Sequence, residues 1–77
     1  MSFDVLWTDY AEAQLLGIPD WRKAGDVDGA VIRFAKGGAM RAATGYYGIG
    51  APGYVIGLRV DREAGTVLVL HLYPIGL

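Results

Sequence analysis

A chain of 77 residues without cysteine has room for one small domain over residues 1–77, and it excludes disulfide bonds and thiolate metal sites. Its 7 basic and 8 acidic residues give a net charge of −1, which argues against binding nucleic acid mainly through a basic face. Hydrophobic residues make up 53% of the chain, more than so small a domain buries by itself. We therefore expect a homo-oligomer or a second protein that covers the excess.

The sequence gives no sign of membrane association. No apolar run reaches the roughly 18 residues that a membrane span requires. The opening residues Met1–Asp4 lack the basic residues that begin a secretory signal. We therefore expect a cytoplasmic protein.

The first predicted elements are a short strand and a short helix. Phe3–Trp7 is a β-prone run. Asp9 with Glu12 three residues later fits a capping box, which predicts a helix over 10–16. Gly17 is expected to end this helix in the left-handed conformation.

A second, longer helix is predicted after Asp20, which suits a helix N-cap. From Val27 onward, apolar residues recur with the spacing of one helix face. An interruption at Gly25, with Asp26 capping the longer part, is the alternative to one continuous helix. Gly37–Gly38 is expected to stop it.

The middle of the chain predicts a second strand and then a turn. The strand is expected over Met40–Thr44, with Tyr46 and Tyr47 near its end. The glycine-rich residues 45–50 lack both the lysine of a phosphate-binding loop and its strand-to-helix setting. We therefore expect a mobile loop that continues into a turn over 48–53, with tyrosines that pack or touch a ligand.

Two further strands close the chain. Residues 54–61 alternate in the manner of a strand, and 66–73 is apolar on both faces, as is typical of a central strand. Pro74 ends it. The order β-α-α-β-β-β predicts an α+β fold of two layers, with a mostly antiparallel four-stranded sheet and a helical hairpin packed on one face.

Several stretches of these elements are similar to the RelE/ParE superfamily, whose members are the toxins of bacterial type II toxin–antitoxin pairs. Residues 5–11 resemble the family's opening strand and helix start, and 27–37 resemble the end of its second helix. The closing hairpin resembles the family's last two strands, at Gly53–Tyr54, Arg59–Asp61, Gly65–Val67 and Val69–His71. The resemblance implies a cognate antitoxin as partner, and action on mRNA at the ribosome or on DNA gyrase.

Two positions depart from the family's pattern. A basic residue often follows the tyrosine of the third strand, where this chain has Val55. Lysine or arginine often follows the last strand, whereas residues 72–77 carry no charge. Because these cations hold the phosphate in RNA-cleaving members, their absence favours an alternative. In it the chain is a catalytically inactive relative that serves as a protein-interaction or dimerisation module.

RNA cleavage would require a proton acceptor, a proton donor and a cation on the phosphate. His71 suits proton transfer because histidine exchanges protons near neutral pH. Tyr73 follows it on the same strand face, which Arg59 can share from the neighbouring strand. We take these three as the candidate catalytic residues of a ribonuclease. Candidates for contact with RNA or a partner are Arg41, Tyr46, Tyr47 and Tyr54.

The same residues also have purely structural interpretations. A lone histidine in an apolar strand, such as His71, is more often a hydrogen-bonded packing residue, and an arginine such as Arg59 is more often a solvated or partner-paired charge. The polar residues 61–63 are expected to form only a turn. One histidine and no cysteine predict no metal site, and no cofactor is predicted.

Overall fold

Seven elements follow one another along residues 2–75, the part of the chain that the computed structural model describes. They are β1 (Asp4–Trp7), α1 (Asp9–Leu16), α2 (Trp21–Lys36), α3 (Gly38–Arg41), β2 (Gly45–Ala51), β3 (Tyr54–Asp61) and β4 (Thr66–Pro74). The strands form one sheet in the order β1-β4-β3-β2. β1 runs parallel to β4, and the other two neighbouring pairs are antiparallel.

The predicted α+β class is confirmed. The sheet was predicted to be mostly antiparallel, and the structure shows a mixed sheet with one parallel pair. The parallel pair arises because helices connect β1 to the β2-β3-β4 meander, whose last strand returns beside β1. The helices pack on one face of this sheet. No polar or charged residue among 2–75 is buried. The buried core consists of Ala11, Val27, Ala30, Val31, Ala35, Ala39, Ile56, Leu58, Val60, Val67, Val69 and Leu72.

α1 begins one residue earlier than its sequence predicted. Thr8 is the N-cap, and its Oγ1 accepts a hydrogen bond from the Ala11 N–H at 3.1 Å. The predicted capping box was therefore wrong, because Asp9 is already the first helical residue. The predicted left-handed stop was also wrong. Gly17 has φ −82° and ends the helix in a right-handed conformation.

α2 is one continuous helix. Asp20 caps it as predicted, since its Oδ1 accepts from the Arg22 N–H at 2.9 Å. The alternative of a break at Gly25 is wrong, because burial of the helix face against the sheet outweighs the weak helix propensity of one glycine. Gly37 ends the helix, but a further turn, α3, follows directly.

β2 lies where a turn was predicted, and Met40–Thr44 is not a strand. The alternation of buried and exposed side chains in β2 is not visible in the sequence, because glycines occupy several of its positions. Tyr47 and Ile49 are partly buried on the helix side, whereas Tyr46 alternates with Gly48 and Gly50 on the exposed side. Pro52 and Gly53 alone form the connection to β3. Gly53 has φ +82°, which suits the third position of a type II turn.

β3 and β4 are confirmed, and β4 contains a β-bulge. Leu58 pairs with Val69, but Gly57 pairs with His71, so Leu70 has no partner on β3. Burial in β4 accordingly shifts from Val67 and Val69 to Leu72. Pro74 closes the strand opposite Tyr54. Residues 76 and 77 of the uncharged tail lie outside the described residues.

Candidate binding face of the sheet

One face of the sheet carries no helix, and we call it the open face. Its side chains alternate with those of the core along β1, β2 and β3, and along β4 on either side of the bulge at Leu70. The strands contribute Leu6 from β1, Leu68, His71 and Tyr73 from β4, Val55, Gly57 and Arg59 from β3, and Tyr46 from β2. All three predicted catalytic residues, His71, Tyr73 and Arg59, and one predicted binding residue, Tyr46, therefore share one surface.

The imidazole of His71 lies directly over the backbone of Gly57. A β-carbon on Gly57 would stand 2.5 Å from Nδ1 and 2.8 Å from Nε2 of this ring. Nδ1 is buried there without a hydrogen-bond partner among residues 2–75. The His71 ring therefore packs flat against the backbone of Gly57, and only its Nε2 contacts a polar atom of another side chain.

Tyr73 is that partner of His71. Its hydroxyl lies 3.2 Å from Nε2, and the two ring centroids are 4.4 Å apart. Because the Tyr73 side chain is 56% exposed, its phenol is the part of the pair that a ligand meets first. The pair can pass a proton between phenol and imidazole, or serve as an aromatic platform for stacking.

Arg59 supplies the positive charge on this face, two residues along β3 from Gly57. Its guanidinium lies 6.0 Å from the ring centroid of Tyr46, and its Nη1 is 3.5 Å from Oδ2 of Asp61. The Ala64 backbone N–H lowers the pKa of Asp61 most, desolvation opposes it, and the Arg59 guanidinium lowers it further. The charge of Arg59 is therefore already shared with a neighbouring carboxylate.

The other three candidate binding residues lie elsewhere. Tyr47 is on the helix side, where its hydroxyl donates to the Ala43 carbonyl at 2.7 Å and its ring packs 6.4 Å from that of Phe34. Tyr54 packs against the core. Arg41 is exposed at the end of α3.

Sequence reasoning missed the residues that place the pair. Thr8 and Gln14 bind the backbone of β4 next to the bulge, and Gly57 lies beneath His71. Only Gly57 gave a usable signal, since a glycine inside an otherwise apolar strand often marks a close approach. The apolar Leu6 and Leu68 were missed because neither residue type suggests chemistry.

The open face is a shallow surface. No concave pocket and no cluster of metal-ligating side chains forms among residues 2–75. Within the same residues, no helix has the length and hydropathy of a membrane span.

These features define a two-layer α+β protein with helices on one face of its sheet and an uncovered, partly aromatic face on the other. Among solved structures, the chain is similar to one from the RelBE2 toxin–antitoxin complex of Mycobacterium tuberculosis. The TM-score is 0.65 at 22% sequence identity, over 97% of this chain and 93% of that one. The RelE-like fold predicted from the sequence is confirmed. No family model and no curated protein matches the sequence.

Proposed function

We propose that this chain is the toxin-like component of a type II toxin–antitoxin pair, and that a cognate antitoxin protein covers the open face. The main support for the proposal is the uncovered face of the sheet. The fold also matches 93% of the length of a chain from a toxin–antitoxin complex. Leu6, Tyr46 and Tyr73 are 50%, 75% and 56% exposed on it. Large aromatic and aliphatic side chains exposed on one face are typical of a contact with another protein.

The charges of the open face also favour a protein partner. Asp4 lies on the same side of β1 as Leu6, two residues before it. Two carboxylates, those of Asp4 and Asp61, therefore share the open face with the guanidinium of Arg59. A polyanion such as RNA gains most from unshared cations. A partner with an apolar helix or strand flanked by a few charges fits this surface better.

Copurification with the product of a small adjacent reading frame tests the antitoxin contact. We expect Leu6→Glu to weaken binding at least about tenfold, because it places a charge inside the apolar contact. Leu16→Glu is the matched control, since Leu16 is 78% exposed on α1, away from the open face. Equal binding by the two variants would contradict the proposed contact.

The second candidate function is cleavage of mRNA at the ribosome by the His71–Tyr73 pair, with Arg59 against the phosphate. The hydrogen bond between an exposed phenol and an imidazole favours it, because together they supply a proton donor and acceptor. Of the predicted binding residues, Tyr46 on the open face and the exposed Arg41 at the end of α3 would contact RNA or a partner, whereas Tyr47 and Tyr54 pack on the helix side of the sheet. This activity, like an action on DNA gyrase, belongs to the cytoplasm.

Expression of the chain alone in bacteria distinguishes these targets. Growth arrest with cut mRNA would indicate the ribonuclease, and arrest with DNA damage would indicate gyrase. If the arrest is caused by mRNA cleavage, His71→Ala and Tyr73→Phe should abolish it. Tyr10→Phe is the control and should not, because Tyr10 is 65% exposed on α1. Normal growth with soluble protein would support the inactive interaction module.

A further inference from the structure

We infer that Gly57 and the β-bulge at Leu70 are positioning elements for the His71–Tyr73 pair, and that Thr8 and Gln14 hold the bulge in place. The inference deepens the proposed function, because it rests on the open face being where this protein meets its ligand. It also concerns the local structure alone, so it can be tested whether or not the protein is toxic.

Regular pairing would place His71 on the opposite face of the sheet. The β3–β4 hairpin runs in register from Asp61 opposite Thr66 to Leu58 opposite Val69. Continued without a bulge, that register would set His71 opposite Ile56, on the helix side. The one-residue shift at Leu70 sets it opposite Gly57 instead. The bulge is therefore what turns both His71 and Tyr73 to the open face.

α1 stabilises the bulge where β1 can no longer do so. β1 ends at Trp7 opposite Val69, which would leave the edge of β4 beyond it without a neighbour. The hydroxyl of Thr8 donates to the Leu70 carbonyl at 3.2 Å. The Gln14 side chain then pairs with Leu72 through two bonds. Its Nε2 donates to the Leu72 carbonyl at 2.9 Å, and its Oε1 accepts from the Leu72 N–H at 2.7 Å.

Gly57 provides the surface on which the ring rests. Each of its three closest potential β-carbon contacts is an atom of the His71 imidazole. Gly48 and Gly50, on the exposed side of β2, differ in this respect. A β-carbon added at Gly48 would lie 3.5 Å from Val55 Cγ1. One added at Gly50 would have no atom within 4 Å. The demand for glycine on this face is therefore specific to the position beneath His71.

The variant Gly57→Ala tests the inference, with Gly50→Ala as the matched control. The chain has a single histidine, so its imidazole NMR signals are identified without assignment. In the unmodified protein we expect nuclear Overhauser contacts from the ring to Gly57 Hα and to the Tyr73 ring. Gly57→Ala should lose the contacts to Tyr73 and shift the imidazole signals, whereas Gly50→Ala should retain both.

Two measurements keep the inference falsifiable if Gly57→Ala does not fold. Absence of the contact between the imidazole and Gly57 Hα in the unmodified protein would overturn it. So would an unchanged imidazole spectrum in Gln14→Ala, which removes both bonds to Leu72 and should speed the exchange of its amide proton. Preserved contacts between His71 and Tyr73 in folded Gly57→Ala would also overturn it.

Growth arrest separates this inference from the proposed function. If unmodified protein causes no arrest while the NMR results are as expected, the toxin proposal fails and the positioning inference stands. If unmodified protein causes RNA-dependent arrest, Gly57→Ala should lose it together with the imidazole contacts, and Gly50→Ala should keep both.

Discussion

Arg62 ties the β3–β4 hairpin to the segment between α3 and β2. Its Nη1 donates to the Ala42 carbonyl at 2.8 Å and to the Met40 carbonyl at 3.0 Å. Its backbone N–H donates to Oγ1 of Thr44 at 3.0 Å. Carbonyls at a helix end have no partners within the helix, so the guanidinium acts as a side-chain cap for α3.

We expect Arg62→Ala to lower the free energy of unfolding by about 1 kcal/mol, because exposed carbonyls then exchange the guanidinium for water. Urea unfolding followed by circular dichroism measures this loss. Arg41→Ala is the control, since Arg41 lies on α3 but forms none of the side-chain hydrogen bonds found within residues 2–75. Equal destabilisation by the two variants would rule out the capping role.

Asp61 makes the stability of the hairpin depend on acid. The Ala64 N–H donates to its Oδ1 at 3.0 Å, and the pKa of Asp61 is lowered from its ordinary 3.8 mainly by this bond. A carboxyl with a lowered pKa contributes stability above its ordinary pKa and loses it as pH falls through the lowered value.

Asp61→Asn should therefore be less stable than the unmodified protein at neutral pH, and the difference should shrink as pH falls below 3.8. Urea unfolding of both proteins across this range measures the difference. Glu63→Gln, in the same exposed turn, should show no comparable change. A difference between Asp61→Asn and unmodified protein that stays constant with pH would contradict this account.

The types of the site residues and their shared face could be predicted from the sequence, but the bulge that produces this arrangement could not. His71, Tyr73 and Arg59 were selected for their chemistry and do share a face. Strict alternation from the hairpin turn would separate His71 from Arg59, and only the bulge at Leu70 brings them together. A bulge depends on contacts distant in sequence, here from Thr8 and Gln14, and no local pattern encodes them.

Among the elements, those with an apolar period were predicted well. α2 shows a helical period from Val27, and β3 alternates regularly, so both were located from the sequence. β2 was missed because two of its three exposed positions, Gly48 and Gly50, are glycine, which leaves a pattern typical of a loop. α3 was missed because Gly37–Gly38 usually stops a helix, and the hydrogen bonds from Arg62 that support the extra turn come from a residue distant in sequence.

The glycines of α2 and α3 should respond in opposite directions to alanine. Gly25→Ala should raise the free energy of unfolding by about 1 kcal/mol, because Gly25 is helical with nothing within 4 Å of a new β-carbon. Gly38→Ala should lower it by about 1–3 kcal/mol, because the new carbon would stand 2.6 Å from Cδ1 of Phe34.

Chemical denaturation of the two variants beside the unmodified protein measures both changes. Phe34 packs against Tyr47, with ring centroids 6.4 Å apart, so its ring cannot yield without disturbing that contact. A stabilising Gly38→Ala would show that Phe34 has room to move, and a destabilising Gly25→Ala would show that this glycine has a contact within α2.

At the scale of the whole molecule, the two edges of the sheet are protected unequally. β1 is four residues long and begins with Asp4. β2 is seven residues long without a charge or a proline, and its backbone bonds only to β3 among residues 2–75. Proteins commonly guard such edges with charged side chains, because unpaired N–H and C=O groups recruit another strand. With 53% hydrophobic residues, the isolated chain has little else to keep it monomeric.

We therefore expect the isolated protein to self-associate through β2 as its concentration rises, and Gly50→Lys to shift it towards monomer. A lysine fits at Gly50, because a β-carbon there meets nothing within 4 Å, and it places charge on the exposed side of this edge strand, near the turn to β3. Gly25→Lys on α2 adds the same charge at an equally open position away from the edge. Size-exclusion chromatography with light scattering measures the mass of each protein. If both lysine variants dissociate equally, net charge and not the β2 edge controls association.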